Sequence, residues 1–545
     1  MSSTLYRHGV IHSPADPFAE ALLVEDGVVS WIGADDTADG LADRADEVVD
    51  LDGALVAPGF VDAHVHVLET ALAEEGVDLS AAGGVRSLAD ALDAVHRAAQ
   101  ARPATVADEP LLGFGWDETA WPEGRAPTRA ELDAAAGGAP VYLARVDVHS
   151  AVVSTALARA CGADRRDGWD DDGRVERDAH HAAREAARTL TPARRTALYR
   201  RALATAAAHG VVSVHEQSAP GTDTRAGLRE LLELTADAAA GLPHLVAYRG
   251  ELCVTVDDAR ALLADVPGLT GIGGDLNVDG SLGSRTAALR SPYADAPGDG
   301  VLYLSAEQVA NHLTAVTRAG AHGGFHVIGD RAMDEVLLGL RAAADVEGAA
   351  AIAAAGHRLE HAEMVDAPTL AGLVLFGVRL SVQPAFDAAW GGPDGMYASR
   401  LGPARAAGLN PLADLAAAGV PLALGSDAPV TTLDPWAGVR AAVLHHAADQ
   451  RVSARAAFRA ATRGGWRLAG LDHTGAGELR VGSPAHLAVW RAEHLVVQGA
   501  DGRVSSWSTD ARSGTPLLPD LSADAPPPTC LRTVRDGVVL YDAQA

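Results

Sequence analysis

The sequence predicts an α/β protein: a (β/α)8 TIM-like barrel with a long insertion after its first strand, plus a small β-sandwich formed by both termini. Three observations carry this. Short apolar runs alternate with helix-patterned segments through the middle of the chain, strand-like alternation of apolar and polar residues marks both ends, and one connection is far longer than the others.

Composition sets the outer bounds. A chain of 545 residues suits one large domain with a second unit, and 48% apolar content fits a packed globular protein. The formal net charge of −28 repels phosphate backbones, which argues against nucleic acid and leaves a small-molecule substrate as the expected partner. Cys161, Cys253 and Cys530 lie far apart without metal or redox spacing, so a reducing, cytoplasmic setting is expected. No apolar run is long enough to span a bilayer, and no membrane partner is expected. Barrels of this size commonly form homodimers, yet no stretch marks an interface. The chain contains no lysine; every basic residue is arginine. Schiff-base chemistry, a lysine base and a carboxylated lysine between two metals are thereby excluded.

In chain order, residues 1–56 alternate apolar and polar around Gly27 and Gly53, reading as antiparallel strands. The style returns near 485–490 and 533–541, so 1–56 and 476–545 are expected to build one composite sandwich around a barrel at 57–475. Barrel strands are expected at 57–66, 210–215, 244–249, 271–278, 320–327, 357–361, 378–383 and 420–426. Helical patterning fills the gaps, clearest at 305–316 behind a Ser305 cap, at 332–340 and at 435–445. The segment 67–209 is the exception in length. An insertion there, on the face where barrel strands end, predicts a cap that shapes the pocket, with 164–178 as an exposed loop.

The first barrel strand ends in His64-Val65-His66. Side chains two apart in a strand share a face, so both imidazoles can grip one ion. Later strands end in ligand-type residues too: His215, then Asp275 or Asp279, His326, His361 and Asp427. So many imidazoles and carboxylates on one barrel face point to a metal site.

These same residues carry a resemblance. Pro58-Gly-Phe-Val-Asp-Ala-His-Val-His66, Asp279-Gly-Ser-Leu-Gly-Ser-Arg-Thr-Ala287, His326-Val-Ile-Gly-Asp-Arg-Ala332, Arg358-Leu-Glu-His361 and Gly425-Ser-Asp-Ala-Pro429 resemble the amidohydrolase superfamily. The likeness is strongest to its YtcJ-like branch, amidohydrolase family 3, which includes N-substituted formamide deformylases. It implies a metal-dependent hydrolase with His64, His66, His326, His361 and Asp427 as metal-site positions. One departure stands out: where many relatives have lysine, this chain has Asp275.

The chemistry fits. Neutral imidazoles suit Zn2+, and three protein ligands leave a place for a water whose pKa falls to about 7. Asp427 is the expected proton acceptor, while one of His361 and His326 ligates and the other orients or polarises the carbonyl. Asp275 either spans two ions or holds a histidine; a single Zn2+ is the favoured reading. Trp116, His149 and Arg285 are candidate pocket residues, and His215 is a supporting rather than a ligating group. His180-His181 and His445-His446 are expected to face solvent. The expected activity is hydrolysis of a non-peptide C–N bond, in an amide or N-substituted formamide, by metal-activated water. Deamination, cyclic-amide opening and a non-catalytic ligand-binding barrel are the alternatives.

Overall fold

The structure, a computed structural model, describes residues 2–103, 109–498, 507–508 and 515–544. Parts of the expected cap (104–108) and of the C-terminal segment (499–506, 509–514 and 545) lie outside the described residues.

Eight parallel strands surround the core: β1 (Phe60–Val65), β2 (Val211–Ser218), β3 (His244–Arg249), β4 (Gly271–Ile272), β5 (His322–Val327), β6 (Arg358–His361), β7 (Arg379–Val382) and β8 (Leu422–Leu424). Each pairs with its sequence neighbours, from β1 through to β8. The ring is drawn together beyond β8, where Asp427 N–H donates to His64 O (2.8 Å) and His66 N–H to Ala428 O (3.1 Å). Every residue of β1 is buried, as expected for parallel strands covered on both faces.

β4 is much shorter than the expected 271–278. Gly273 and Gly274 take φ of 108° and 72°, a left-handed backbone that leads the chain out of the ladder. It returns only as a single bridge from Asn277 to His326.

Helices pack outside. Ser305 caps Ala306–Ala319 in a capping box completed by Gln308, and Val309, Leu313 and Val316 form its buried stripe. Asp330–Glu347 and Pro435–Leu444 follow the expected segments with wider or nearly equal bounds.

The chain ends meet. Val10–Ile11 and Leu55–Pro58 join Leu487–Arg491, Thr529–Arg535 and Val538–Asp542 in one five-stranded sheet. A four-stranded sheet of Ser3–Arg7, Ala21–Glu25, Val28–Gly33 and Glu47–Asp50 lies with it, and Tyr6, Leu22 and Val29 share a core with Leu487, Val489 and Val534. Glu47–Asp50 runs parallel to Ser3–Arg7, which departs from the purely antiparallel expectation.

Between β1 and β2, a five-stranded sheet includes Leu111–Trp116, Val141–Arg145 and Ala151–Val153. Its core centres on Trp116, Trp121, Leu132 and Leu143. The stretch expected as an exposed loop contributes the edge strand Arg174–Val175 to this sheet. No helix among the described residues is long and apolar enough to cross a membrane.

Candidate metal centre

His64, His66 and Asp427 form a buried trio, and His64, Asp275 and His361 a second; within each, one ligand atom per residue lies within 4.8 Å of the others. The pattern follows from the barrel. Strand ends bring side chains from sequence positions hundreds apart to one rim. Gly425 permits the closest approach, because a Cβ there would stand 2.6 Å from the His64 amide nitrogen. Asp62 fastens the same corner, accepting from Ser426 N–H (2.9 Å) and the Ser426 hydroxyl (2.5 Å).

Hydrogen bonds fix which nitrogen each histidine presents. His64 Nδ1–H donates to Glu360 Oε2 (2.7 Å), His66 Nδ1–H to Gln217 O (3.1 Å) and His361 Nδ1–H to Gln383 Oε1 (2.8 Å). Each Nε2 is left facing the centre with its lone pair. His64 Nε2 is buried without a hydrogen-bond partner and sits 3.2 Å from Asp427 Oδ1. His326 is reversed: Nε2–H donates to Gly280 O (3.3 Å), so Nδ1 faces Asp275 Oδ1 at 3.0 Å. A divalent transition ion fits this donor set, since four imidazole lone pairs and two carboxylates converge and one of those lone pairs is orphaned.

Asp275 stands in the middle. Its Oδ2 lies 3.5 Å from His66 Nε2, whereas its Oδ1 lies 3.6 Å from His361 Nε2 as well as beside His326. Burial alone would raise its pKa, but His326 and His361 hold the carboxyl well below the usual range. Asp427 is governed the same way: burial opposes ionisation, and His64 and His66 overcome it.

Backbone strain gathers at the rim. His361 and Asp427 have φ of 69° and 55°, conformations that non-glycine residues seldom adopt. In a regular strand Glu360 and His361 would point to opposite faces. The turn at His361 lets both serve the same centre.

Behind the ligands runs a buried ladder that the sequence reading did not assign. Arg358 Nε–H donates to Glu360 Oε1 (2.5 Å), Arg358 also donates to Ala63 O (2.7 Å), and its guanidinium lies 4.6 Å from the Tyr248 ring centre. Arg358 and Glu360 are two apart on β6, and that period-2 spacing within Arg-Leu-Glu-His was the available signal. Gln217 and Gln383 lacked any such pattern.

A cavity of about 490 Å³ opens over the centre. His66, Asp275, His326, His361 and Asp427 floor it, while His149, Arg177, His180 and Arg184 line its insertion side. His149 lies with its ring 5.0 Å from that of His326, and burial, with His326, lowers its pKa to about 4.

The other expectations resolve differently. Trp116 does not line the cavity; it is fully buried in the insertion core with Nε1–H donating to Leu143 O (2.9 Å), because its bulk fills the space under that sheet. Arg285 is also off the cavity, drawn to Asp295 at 2.8 Å. His215, expected as a supporting rather than a ligating group, is buried beside Arg358 (3.0 Å). Asp279 accepts from the N–H groups of Ala288, Ile328 and Gly329 and so braces the loop after β5. Against expectation His180 and His445 are buried: His180 shares a hydrogen bond with the Tyr142 hydroxyl (2.7 Å), and His445 packs 3.6 Å from Asp387.

A parallel barrel whose strand ends converge histidines and aspartates on a cavity floor is the architecture of a metal-dependent hydrolase. Residues 47–541 match the profile of the amidohydrolase family, and the chain belongs to that family. It is similar to a Bacillus subtilis protein named as the amidohydrolase YtcJ, with 26% identity over 79% of this chain and 81% of that one. N-substituted formamide deformylase of Arthrobacter pascens is 31% identical over 29% of each chain. Among solved structures, a metal-dependent hydrolase of Pyrococcus horikoshii superposes with a TM-score of 0.69 at 26% identity, covering 92% of this chain and 98% of that one.

Proposed function

We propose that this metal-dependent hydrolase cleaves a non-peptide C–N bond of a small molecule, an amide or N-substituted formamide, using Zn2+ and water. The observation that carries the reading is the set of histidine tautomers: His64, His66 and His361 each spend Nδ1–H on a fixed acceptor and aim Nε2 at one point. Such an ion, when bound, polarises a carbonyl and acidifies water at neutral pH. His64, His66 and Asp427 would hold it, and the two oxygens of Asp275, facing His66 on one side and His326 and His361 on the other, would support a second, weaker position.

The chain's own groups then handle protons and orientation. Asp427, kept ionised, takes a proton from the attacking water and delivers it to the departing amine nitrogen. His149 faces the cavity in its neutral form and serves as a donor to the substrate carbonyl from the insertion side. The wall from the insertion keeps bulk water away from the reacting bond.

In domain terms, 1–56 with 476–545 is read as the composite sandwich, 57–475 as the barrel and 67–209 as the cap. Three unpaired cysteines support a cytoplasmic setting, and a homodimer without nucleic-acid or membrane partners is proposed.

The test is metal analysis of purified protein followed by N-formyl, N-acyl and cyclic-amide substrates. Stoichiometric zinc with turnover of an N-formyl or N-acyl amine is expected. Metal without hydrolysis of any amide would overturn the reading, and Asp275→Ala should retain one ion.

A further inference from the structure

The cavity over the metal centre is electrically lopsided. Its floor is carboxylate and imidazole, whereas the helix Arg177–Ala186 of the insertion turns Arg177, His180, His181 and Arg184 toward the same space. Residues three and four apart share one helical face, so His180, His181 and Arg184 form a stripe, which Arg177, with φ of 48° at the helix entrance, joins on the cavity wall.

The stripe presents guanidinium groups that are only partly paired, with Asp275 across the cavity also acting on Arg184. Arg184 lies 3.1 Å from Glu69, but Arg188 pairs with the same carboxylate. Two guanidiniums thus share one carboxylate at contact distance. Burial, opposed by Glu69 and then aggravated by Arg184, lowers the Arg188 pKa to about 10. Arg184 Nε is buried with no hydrogen-bond partner, and so is Arg177 Nε, whose Nη2 lies 3.3 Å from exposed Asp167. Glu185, an exposed residue, also borders the cavity. An unpaired buried donor on arginine is costly unless a ligand completes it, and a carboxylate completes a guanidinium edge with two parallel bonds.

This stripe and the metal-type residues line one cavity of about 490 Å³, room for a small elongated molecule. In a chain of net charge −28, arginines on the wall of the cavity that holds the metal-type residues set it apart from the rest of the surface.

We propose that the substrate carries a carboxylate seated on Arg184, with Arg177 beside it, at the end remote from its scissile C–N bond. The substrate class is thus an N-acyl or N-formyl amino acid, and hydrolysis adds water across the C–N bond to release a carboxylic acid (formic acid from an N-formyl substrate) and the free amino acid. This rests on the amide-hydrolase reading above and refines it.

The experiment uses the full-length, zinc-loaded protein. Probes are the N-formyl and N-acetyl derivatives of glycine, β-alanine, 4-aminobutyrate and 6-aminohexanoate, each alongside its carboxamide. At the best chain length the carboxylate should exceed its carboxamide at least tenfold in kcat/KM, the ratio should fall to about one in Arg184→Gln, and Arg184→Lys should restore part of it. Glu69 keeps Arg188 as its partner in these variants, and Arg177→Gln, which breaks only an exposed pair, provides an independent second variant. A carboxamide equal to or better than its carboxylate overturns the proposal, as does an equal loss on both in Arg184→Gln. Thermal-shift binding of the same pairs separates the two readings. Carboxylate-selective stabilisation that Arg184→Gln abolishes, without turnover, keeps the anion site and sinks the hydrolase reading; no selectivity in binding or turnover overturns the anion site.

Discussion

Glu360 stands between the Arg358 guanidinium and the His64 imidazole, with all three side chains fully out of solvent. Replacing it by glutamine leaves a buried arginine without its counter-ion and His64 without its charged acceptor. Glu360→Gln should therefore lose about 3 kcal/mol of stability in urea unfolding. Zinc affinity should fall about 10- to 100-fold in a competition titration. On the proposed mechanism Asp427→Asn removes the proton carrier while keeping shape; kcat should fall about 1000-fold with little change in the circular dichroism of the folded protein. Near-full turnover in that variant would remove Asp427 from the proton path.

His312 shows what a single helix contributes. From Ala306–Ala319 its Nδ1 accepts from Cys253 N–H (3.1 Å) and its Nε2–H donates to Ile272 O (3.0 Å), tying the helix to the end of β4. Burial, partly offset by the Ile272 bond, lowers its pKa to about 4. The unfolded imidazole takes up a proton below pH 6.5 and the folded one resists until about pH 4, so this contribution is whole above 6.5 and lost on acidification. The stability gap between wild type and His312→Gln, read from thermal melts, should shrink from pH 7.5 to pH 5. A gap constant with pH would mean that His312 is not held neutral. The ends of β8 and β1 meet at Gly425, where any Cβ would strike His64; Gly425→Ala should displace His64 and reduce bound metal at unchanged chain length and charge.

For the whole molecule, the insertion has a core of its own and a wall in the cavity. Trp116→Ala empties the former without touching the latter, so it should cost about 3–5 kcal/mol in denaturant unfolding while the KM of the remaining folded enzyme stays close to wild type. Chelation should lower Tm, and zinc should restore it in a concentration-dependent way, because an ion bound only by the folded state stabilises by mass action.

The eight strands were legible because each is a short apolar run with a recognisable break, and parallel strands are apolar on both faces. His64 and His66 were legible through period-2 spacing, and His326, His361 and Asp427 through residue type at strand ends. What failed was Trp116 and Arg285. Their residue types suit a pocket, but a tryptophan equally fills a sheet's underside and an arginine follows the nearest carboxylate, here Asp295. His180 and His445 failed for a related reason. An alanine-rich helix does not reveal which face a neighbour covers.

By itself, then, the sequence determined the barrel, the identity of the metal-type residues and the exclusion of lysine chemistry, since these depend on local periodicity and residue type. Tertiary structure alone decided the rest: which imidazole nitrogen faces the centre, that Asp275 turns one oxygen to each side, and that Arg184 shares Glu69 with Arg188. Hydrogen-bond direction and charge balance are properties of pairs brought together from distant parts of the chain, and no local pattern encodes them.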